Sequence, residues 1–248
     1  MQRAKSVNSG AADEPPLASC LCVTEGREAF LPWLLWNYEK QDYEPRELVV
    51  VDSSSEPAAA LEREGVIVVP CPPGTTVARK RNLAVDAARG SLVAWFDDDD
   101  WQHPRRLSIL AEALGRGHAL AGSRRSWFVD LGRGRARPHE SERSVIFNGV
   151  GVRRTLLEGV RFDERRARAA DTAWLAAVRS RTRSGVGVVP EILSCWLCHA
   201  GNLSNPVTRH VFPHPIATVR DAVGADAWDG TDEQLAALRD RLVGANPG

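Results

Sequence analysis

From Leu17 onward, short runs of apolar and β-branched residues alternate with segments whose apolar positions recur every three to four residues. This pattern predicts strand 17–24 (LASCLCVT), a helix over about 28–40, strand 47–52 (ELVVVD), helix 56–63, strand 66–69, helix 76–89, strand 91–96 and helix 104–115. Such alternation argues for a parallel, doubly wound α/β half with right-handed crossovers. After Gly115 the regularity weakens. Strands are expected at 118–122, 125–130 and 144–148, around a Gly/Arg-rich stretch (LGRGRARPHE, 131–140) that reads as a mobile loop. A helix near 168–179, strands near 185–189 and 192–197, and two helices within 213–248 follow, the second capped by Thr231 with Glu233 close behind. Residues 1–16 are small, polar and Pro-terminated, as in a disordered leader. The expected organisation is therefore a leader at 1–16, one α/β domain at 17–212 with halves 17–115 and 116–212, and a small helical extension at 213–248.

Composition narrows the class. A chain of 248 residues, 43% hydrophobic and 26% charged, can bury one large core. Its formal net charge of +0 supplies no global field for nucleic acid or an anionic membrane, so neither is an expected partner. No window reaches the ~18 apolar residues of a spanning helix, and the first residues lack the apolar stretch of a signal peptide. A cytoplasmic location is expected, and the odd count of five cysteines agrees with a reducing compartment.

The chemistry concentrates where strand 91–96 delivers Asp97, Asp98, Asp99 and Asp100 to its carboxyl end. Four adjacent carboxylates repel one another and favour an oxygen-preferring divalent cation, Mg²⁺ or Mn²⁺, whose open positions suit phosphate oxygens. The plainer alternative is a solvated acidic turn in which Asp100 caps a helix starting near Pro104. Asp52 ends a neighbouring strand, so in a doubly wound sheet it opens onto the same edge and can accept hydrogen bonds from a ribose or base. Arg79, Lys80 and Arg81 cluster at a helix start, where the helix dipole disfavours cations unless an anion is near; an exposed basic turn is the other reading. Neither a dinucleotide-binding Gly-x-Gly-x-x-Gly nor a P-loop occurs. Cys195-Trp-Leu-Cys-His199 matches the haem-attachment spacing, and with Cys20 and Cys22 it could bind zinc, but alternation on strands accounts for these cysteines as small hydrophobes.

The order of "ASCLCVTEGREAFLPWLLWN", "ELVVVDSSS", "ARKRNLAVDAARGSLVAWFDDDDWQHPRRL", "VRFDERRARAADTAWLAAV" and "CWLCHAGNLS" resembles the GT-A glycosyltransferases of family 2, from about Leu17 to Ser204. The resemblance implies a GT-A fold, a mixed α/β sheet flanked by helices. It places Thr24, Glu25 and Arg27 in the loop framing the nucleotide, Asp52 at the base or ribose, and Arg81 and Asn82 in the donor pocket. Asp97 and Asp99 match the Asp-x-Asp motif, with Asp99 the preferred metal ligand and Asp97 nearer the ribose or metal shell. Asp98, between them, is counted with the donor-binding residues, and Asp100 resembles the family's helix-capping Asp. Asp171 matches the catalytic base, although Ala170 stands where the family has Glu; a capping Asp is its alternative role. His199 becomes a candidate metal or diphosphate ligand, with a satisfied, non-liganding His as the competing reading.

These residues imply a metal-dependent, inverting transfer of sugar from a nucleoside-diphosphate sugar to a hydroxyl of a discrete small-molecule, glycan or glycolipid acceptor. The Gln-x-x-Arg-Trp signature of processive synthases is absent. Trp101 and Trp127 are expected to line the acceptor cleft, since flat aromatic faces suit sugars. Nucleotidyl transfer onto a sugar phosphate, and nucleotide-sugar binding without catalysis, are the alternatives; Thr24-Glu25-Gly26-Arg27 is too short for a nucleotidyltransferase signature loop.

Overall fold

The computed structural model describes residues 14–56, 59–166, 169–199, 202 and 211–245. Its elements run β1 (Ala18–Thr24), α1 (Leu31–Glu39), β2 (Arg46–Asp52), β3 (Val66–Pro70), α2 (Val77–Ala87), β4 (Leu92–Trp95), β5 (Trp101–Gln102), α3 (Arg106–Gly115), β6 (Leu120–Ser123), β7 (Arg125–Asp130), β8 (Arg135–Glu140), β9 (Val150–Arg153), α4 (Ala170–Ser180), β10 (Val186–Val189), β11 (Ser194–Cys198), β12 (His214–Pro215), α5 (Ala217–Val223) and α6 (Thr231–Ala245).

A seven-stranded sheet has the order β10-β6-β9-β4-β1-β2-β3. Strands β4, β1, β2 and β3 are mutually parallel, while β9 lies antiparallel between β4 and β6. The sheet is thus mixed, and the GT-A architecture expected from sequence is present. Its central strands are buried on both faces, which is why they read as continuous apolar runs. Leu48 and Val50 join one core layer, and Val49 and Val51 the other. Each such side chain contributes about 1.5–3 kcal/mol of burial.

Two contacts fix how β4 meets β1. A Cβ on Gly90 would lie 2.6 Å from both the Leu17 carbonyl oxygen and Ser19 Oγ, so only glycine permits this approach. Beside it, the buried Glu47 carboxylate accepts from Ser19 Oγ (2.6 Å), Arg89 N (2.7 Å) and Arg89 Nε (2.7 Å). Burial would raise this carboxyl, but those donors hold it below its ordinary value.

A second sheet, β12-β8-β7-β11-β5, packs against α5 and α6. Its core includes Trp33, Trp101, Trp127, Trp228, Leu235 and Leu238. Trp101 and Trp127 are therefore interior residues, 0% and 7% exposed, and do not line a cleft. Trp101 Nε1 donates to Thr231 Oγ1 at 3.2 Å, and its ring lies 5.3 Å from that of Trp228. The extension thereby shares a core with the rest of the chain.

Local departures from the expected elements have local causes. Residues 59–61 form only a 3-10 turn, and 57–58 of the expected helix lie outside the described residues. The apolar run at 144–148 is no strand: it breaks into a 3-10 turn at Phe147–Gly149, because Asn148 turns its amide toward the Asp run, and pairing resumes at Val150. The stretch expected to be a mobile loop holds β8, paired with β7 across the hairpin from Arg125↔Glu140 to Asp130↔Arg135. Of the expected leader, residues 1–13 lie outside the described residues, as do 200–201 and 203–204 of the terminal motif. Among the described residues, no helix is long and apolar enough to cross a membrane.

Candidate active site

Strands β1, β2 and β4 end together. Thr24 pairs with Asp52 across β1 and β2, and Phe96 N donates to the Leu21 carbonyl, which sets Asp97 beside the end of β1. The Asp run then turns sharply, with Asp100 N donating to the Asp97 carbonyl at 3.3 Å. Side chains alternate: Asp97 and Asp99 keep 21% and 13% of their surface, whereas Asp98 keeps 2%. Spacing by two along the turn therefore decides which carboxylates face outward.

Each carboxylate has its own partners. Asp98 accepts from Thr24 Oγ1 (2.7 Å) and pairs with Arg27 Nη1 (3.1 Å). Asp99 Oδ2 accepts from Arg27 Nη2 (2.5 Å) and Asn202 Nδ2 (3.2 Å), and lies 3.1 Å from His199 Nε2. Asp97 pairs with Arg81 Nη2 at 3.8 Å and accepts from Asn148 Nδ2 at 3.0 Å; the same amide donates to Asp100. Asp100 does not cap α3, whose N-terminal residue Arg105 lacks any side-chain cap. It is buried instead between Asn148 and the Leu197 backbone N–H, because the turn points its side chain inward.

Charge crowding shows in the acidities. Burial first, then Asp99, raises Asp98 to about 7. Burial likewise raises Asp97 and, more strongly, Asp100. Burial pushes Asp99 the same way, but the His199 hydrogen bond and the Arg27 charge outweigh it and hold Asp99 low. Behind the turn lies the fully buried Arg106, bonded to Gln102 and the Val150 carbonyl with its guanidinium 4.8 Å from the Phe96 ring centroid.

The basic cluster at the start of α2 separates into three roles. Thr76 caps the helix by accepting from Arg79 N at 3.2 Å. Arg79 reaches Glu164. Lys80, 4% exposed, ties the loops after β1 and β2 together through the Thr24 carbonyl (3.1 Å), Glu25 Oε2 (3.1 Å) and Ser53 Oγ (2.9 Å). Glu25 also accepts from Gly74 N at 2.8 Å; that bond, with those from Ser53 and Lys80, lowers its carboxyl to about 2. Asp52 accepts from Ser54 N (2.8 Å) and Ser54 Oγ (2.6 Å). Arg81 lies against the rings of Trp95, Phe147 and Phe162, 5.6, 4.6 and 5.5 Å from their centroids. Its buried Nε has no acceptor among the described residues.

Asn82 points away from the Asp run. Its amide holds the segment before α4, donating to the Phe162 carbonyl (3.1 Å) and Glu164 Oε1 (2.9 Å) and accepting from Phe162 N (2.9 Å). Asp171 lies in the first turn of α4, after Ala169 in a left-handed conformation (φ 55°). Its Oδ1 accepts from Thr172 N at 2.8 Å, it keeps partial exposure, and its charge helps raise Asp97.

The donor set suits a hard divalent cation: carboxylate oxygens with one imidazole nitrogen, Asp99 Oδ2 and His199 Nε2 standing 3.1 Å apart. Among the described residues, no three His, Cys, Asp or Glu side chains already converge as ligands, and the Arg27 guanidinium lies at the point where Asp99 and His199 meet. Cys20, Cys22, Cys195 and Cys198 are buried free thiols on β1 and β11. Asn148, Asn202 and Arg106 complete the site although sequence reasoning gave them no place in it, and Lys80, read there as part of a basic cluster suited to an anion, instead braces two loops. The only signal for Asn148 is one amide in an otherwise apolar run (VIFNGVGV); Asn202 stood unread within the terminal motif.

The model of glycosyl transferase family 2 matches residues 19–172, more than half of the chain. No curated protein matches it. Among solved structures, S. aureus TarS 1-349 in complex with UDP aligns with a TM-score of 0.61 at 19% identity, over 73% of this chain and 60% of that one. The same TarS fragment with UDP-GlcNAc gives 0.64 at 18% identity, over 92% and 72%. Mannosyltransferase PcManGT from Pyrobaculum calidifontis, in complex with GDP-Man and Mn²⁺, gives 0.57 at 17% identity, over 94% and 76%. These likenesses are to the fold; the family match extends from β1 through the Asp run to the first turn of α4. The chain belongs to glycosyl transferase family 2.

Proposed function

We propose that the chain transfers a sugar, with inversion, from a nucleoside-diphosphate sugar to a hydroxyl of a discrete small-molecule, glycan or glycolipid acceptor. The observation that carries this reading is the placement of Asp97 and Asp99 at the carboxyl edge of the sheet, with Asp171 in the first turn of α4 near enough for its charge to raise Asp97. Ligands of open α/β sheets bind at that edge. Solved structures of this fold in complex with UDP, UDP-GlcNAc and GDP-Man support a nucleotide-sugar donor.

In this reading the base and ribose lie against Thr24, Glu25 and Asp52, in loops braced by Lys80. Arg81 and Arg27 supply donors to the diphosphate. Asp99 and His199, with Asp97, would hold Mg²⁺ or Mn²⁺, which would stabilise negative charge on the leaving diphosphate. Asp171 removes the acceptor's hydroxyl proton as that oxygen attacks the anomeric carbon from the face opposite the leaving group. Asn82 acts at one remove, by holding Phe162 and Glu164 ahead of α4.

The test is incubation with UDP-GlcNAc and GDP-Man, each with Mn²⁺ and candidate acceptors, measuring the released nucleotide for wild type and Asp171→Asn. Release of nucleoside diphosphate that depends on acceptor and falls in the variant supports the proposal. Release of pyrophosphate would instead identify nucleotidyl transfer, and turnover unchanged in Asp171→Asn would remove Asp171 as the base.

A further inference from the structure

Arg27 occupies an unusual position for a donor-binding residue. Its Nη2 stands 2.5 Å from Asp99 Oδ2 and 3.2 Å from His199 Nε2, while Nη1 stands 3.1 Å from Asp98 Oδ1. The guanidinium is seated over the Phe30 ring at 4.5 Å, and the Phe30 ring lies 4.7 Å from that of His199. One cation thus spans two carboxylates and the imidazole. An ion bound to both Asp99 Oδ2 and His199 Nε2 would stand about 2.1 Å from each. With those atoms 3.1 Å apart, every such position lies within about 4 Å of Nη2, and most lie inside its van der Waals envelope. Two positive charges cannot share that space without a large repulsion.

We propose that Arg27 is the resident counter-cation of the Asp98–Asp99 pair and that it excludes the divalent metal until the donor arrives. This deepens the donor-site reading and rests on it. Metal alone must displace a guanidinium that two carboxylates hold in place. Metal arriving with a nucleoside diphosphate brings phosphate oxygens that offer the displaced guanidinium a bidentate partner. Metal and nucleotide therefore bind with positive coupling, and by linkage each raises the affinity for the other equally.

The experiment is calorimetric titration with Mn²⁺ alone, and with Mn²⁺ in the presence of saturating UDP or GDP, on wild type, Arg27→Met and Arg27→Lys, with melting curves for each. Arg27→Met is expected to bind Mn²⁺ alone at least about tenfold tighter than wild type, to lose most of the nucleotide-induced gain, and to melt lower without metal but recover with it. Arg27→Lys, which keeps the charge, stays near wild type. Mn²⁺ affinity that is equal or lower in Arg27→Met overturns the inference, even where wild type binds nucleotide and the donor site stands. Wild type that binds no nucleotide, beside an Arg27→Met variant that gains Mn²⁺, defeats the donor-site reading and leaves the exclusion intact. Should Arg27→Met not fold, Arg27→Gln carries the same expected sign.

Discussion

Asp97 and Asp100 share a neutral amide, Asn148, whereas Asp98 and Asp99 share a cation, Arg27. On the amide side the charges are relieved only by hydrogen bonds and by Arg81 and Arg106 nearby, and both carboxyls are raised by burial. On the Arg27 side an ion pair and the imidazole hold Asp99 low. One short turn therefore carries a structural end and an exchangeable end. The difference teaches that four adjacent carboxylates need not all serve the ligand: Asp100, held by Asn148, anchors the turn to the fold, while the outward-facing Asp97 and Asp99 are left to meet it.

The largest expected effect lies on the exchangeable end. Asp99→Ala should abolish Mn²⁺-dependent nucleotide binding and lower turnover by about a thousandfold or more, the several kcal/mol a metal supplies to a leaving group. Next, Asp171→Asn should slow transfer by about a hundredfold or more while sparing nucleotide affinity, as loss of a general base does. Binding isotherms and single-turnover rates separate the two.

The structural end should respond in stability. Asn148→Ala removes the shared donor from Asp97 and the buried Asp100 and should cost about 1–3 kcal/mol in urea unfolding, with Mn²⁺ recovering little of it. A pH series sharpens the contrast further. The folded-state value of Asp98, about 7, exceeds the unfolded one, so its contribution is present in full below about pH 4 and is lost as pH rises through about 7. Asp99 and Glu47 are shifted down, so their contribution is present above the ordinary carboxylate range and is lost as pH falls through their lower folded values. Without metal, the melting temperature should fall between about pH 4 and 7, and Asp98→Asn should flatten that fall. The smallest effect is expected at Ala169, whose left-handed backbone leads into Asp171. Ala169→Gly should stabilise the fold by about 1 kcal/mol in the same unfolding assay.

Much of the first sheet was legible because its strands are continuous apolar runs separated by helical periodicity. The acidic run and Asp52 could be placed at one edge on topology, whereas the Thr24–Arg27 loop was placed there by the family resemblance. The second half was harder to read. Strand β8 is written as RARPHE, which carries no apolar alternation, since only Ala136 reaches the core. Trp101 and Trp127 looked like cleft residues because composition cannot tell an aromatic that binds sugar from one that packs under a C-terminal helix. Asn148 was invisible because its role depends on a turn inside an apolar run, and the divided roles of Arg79, Lys80 and Arg81 depend on which neighbouring loop each side of α2 meets.

The most direct test of the donor site is calorimetric titration of wild type and Asp99→Ala with UDP and GDP, with Mn²⁺ and with EDTA. Binding of one nucleotide that requires both Mn²⁺ and Asp99 is the predicted result. Equal binding by the two proteins, or none by wild type under any condition, would contradict the assignment and leave the Asp run as a structural turn.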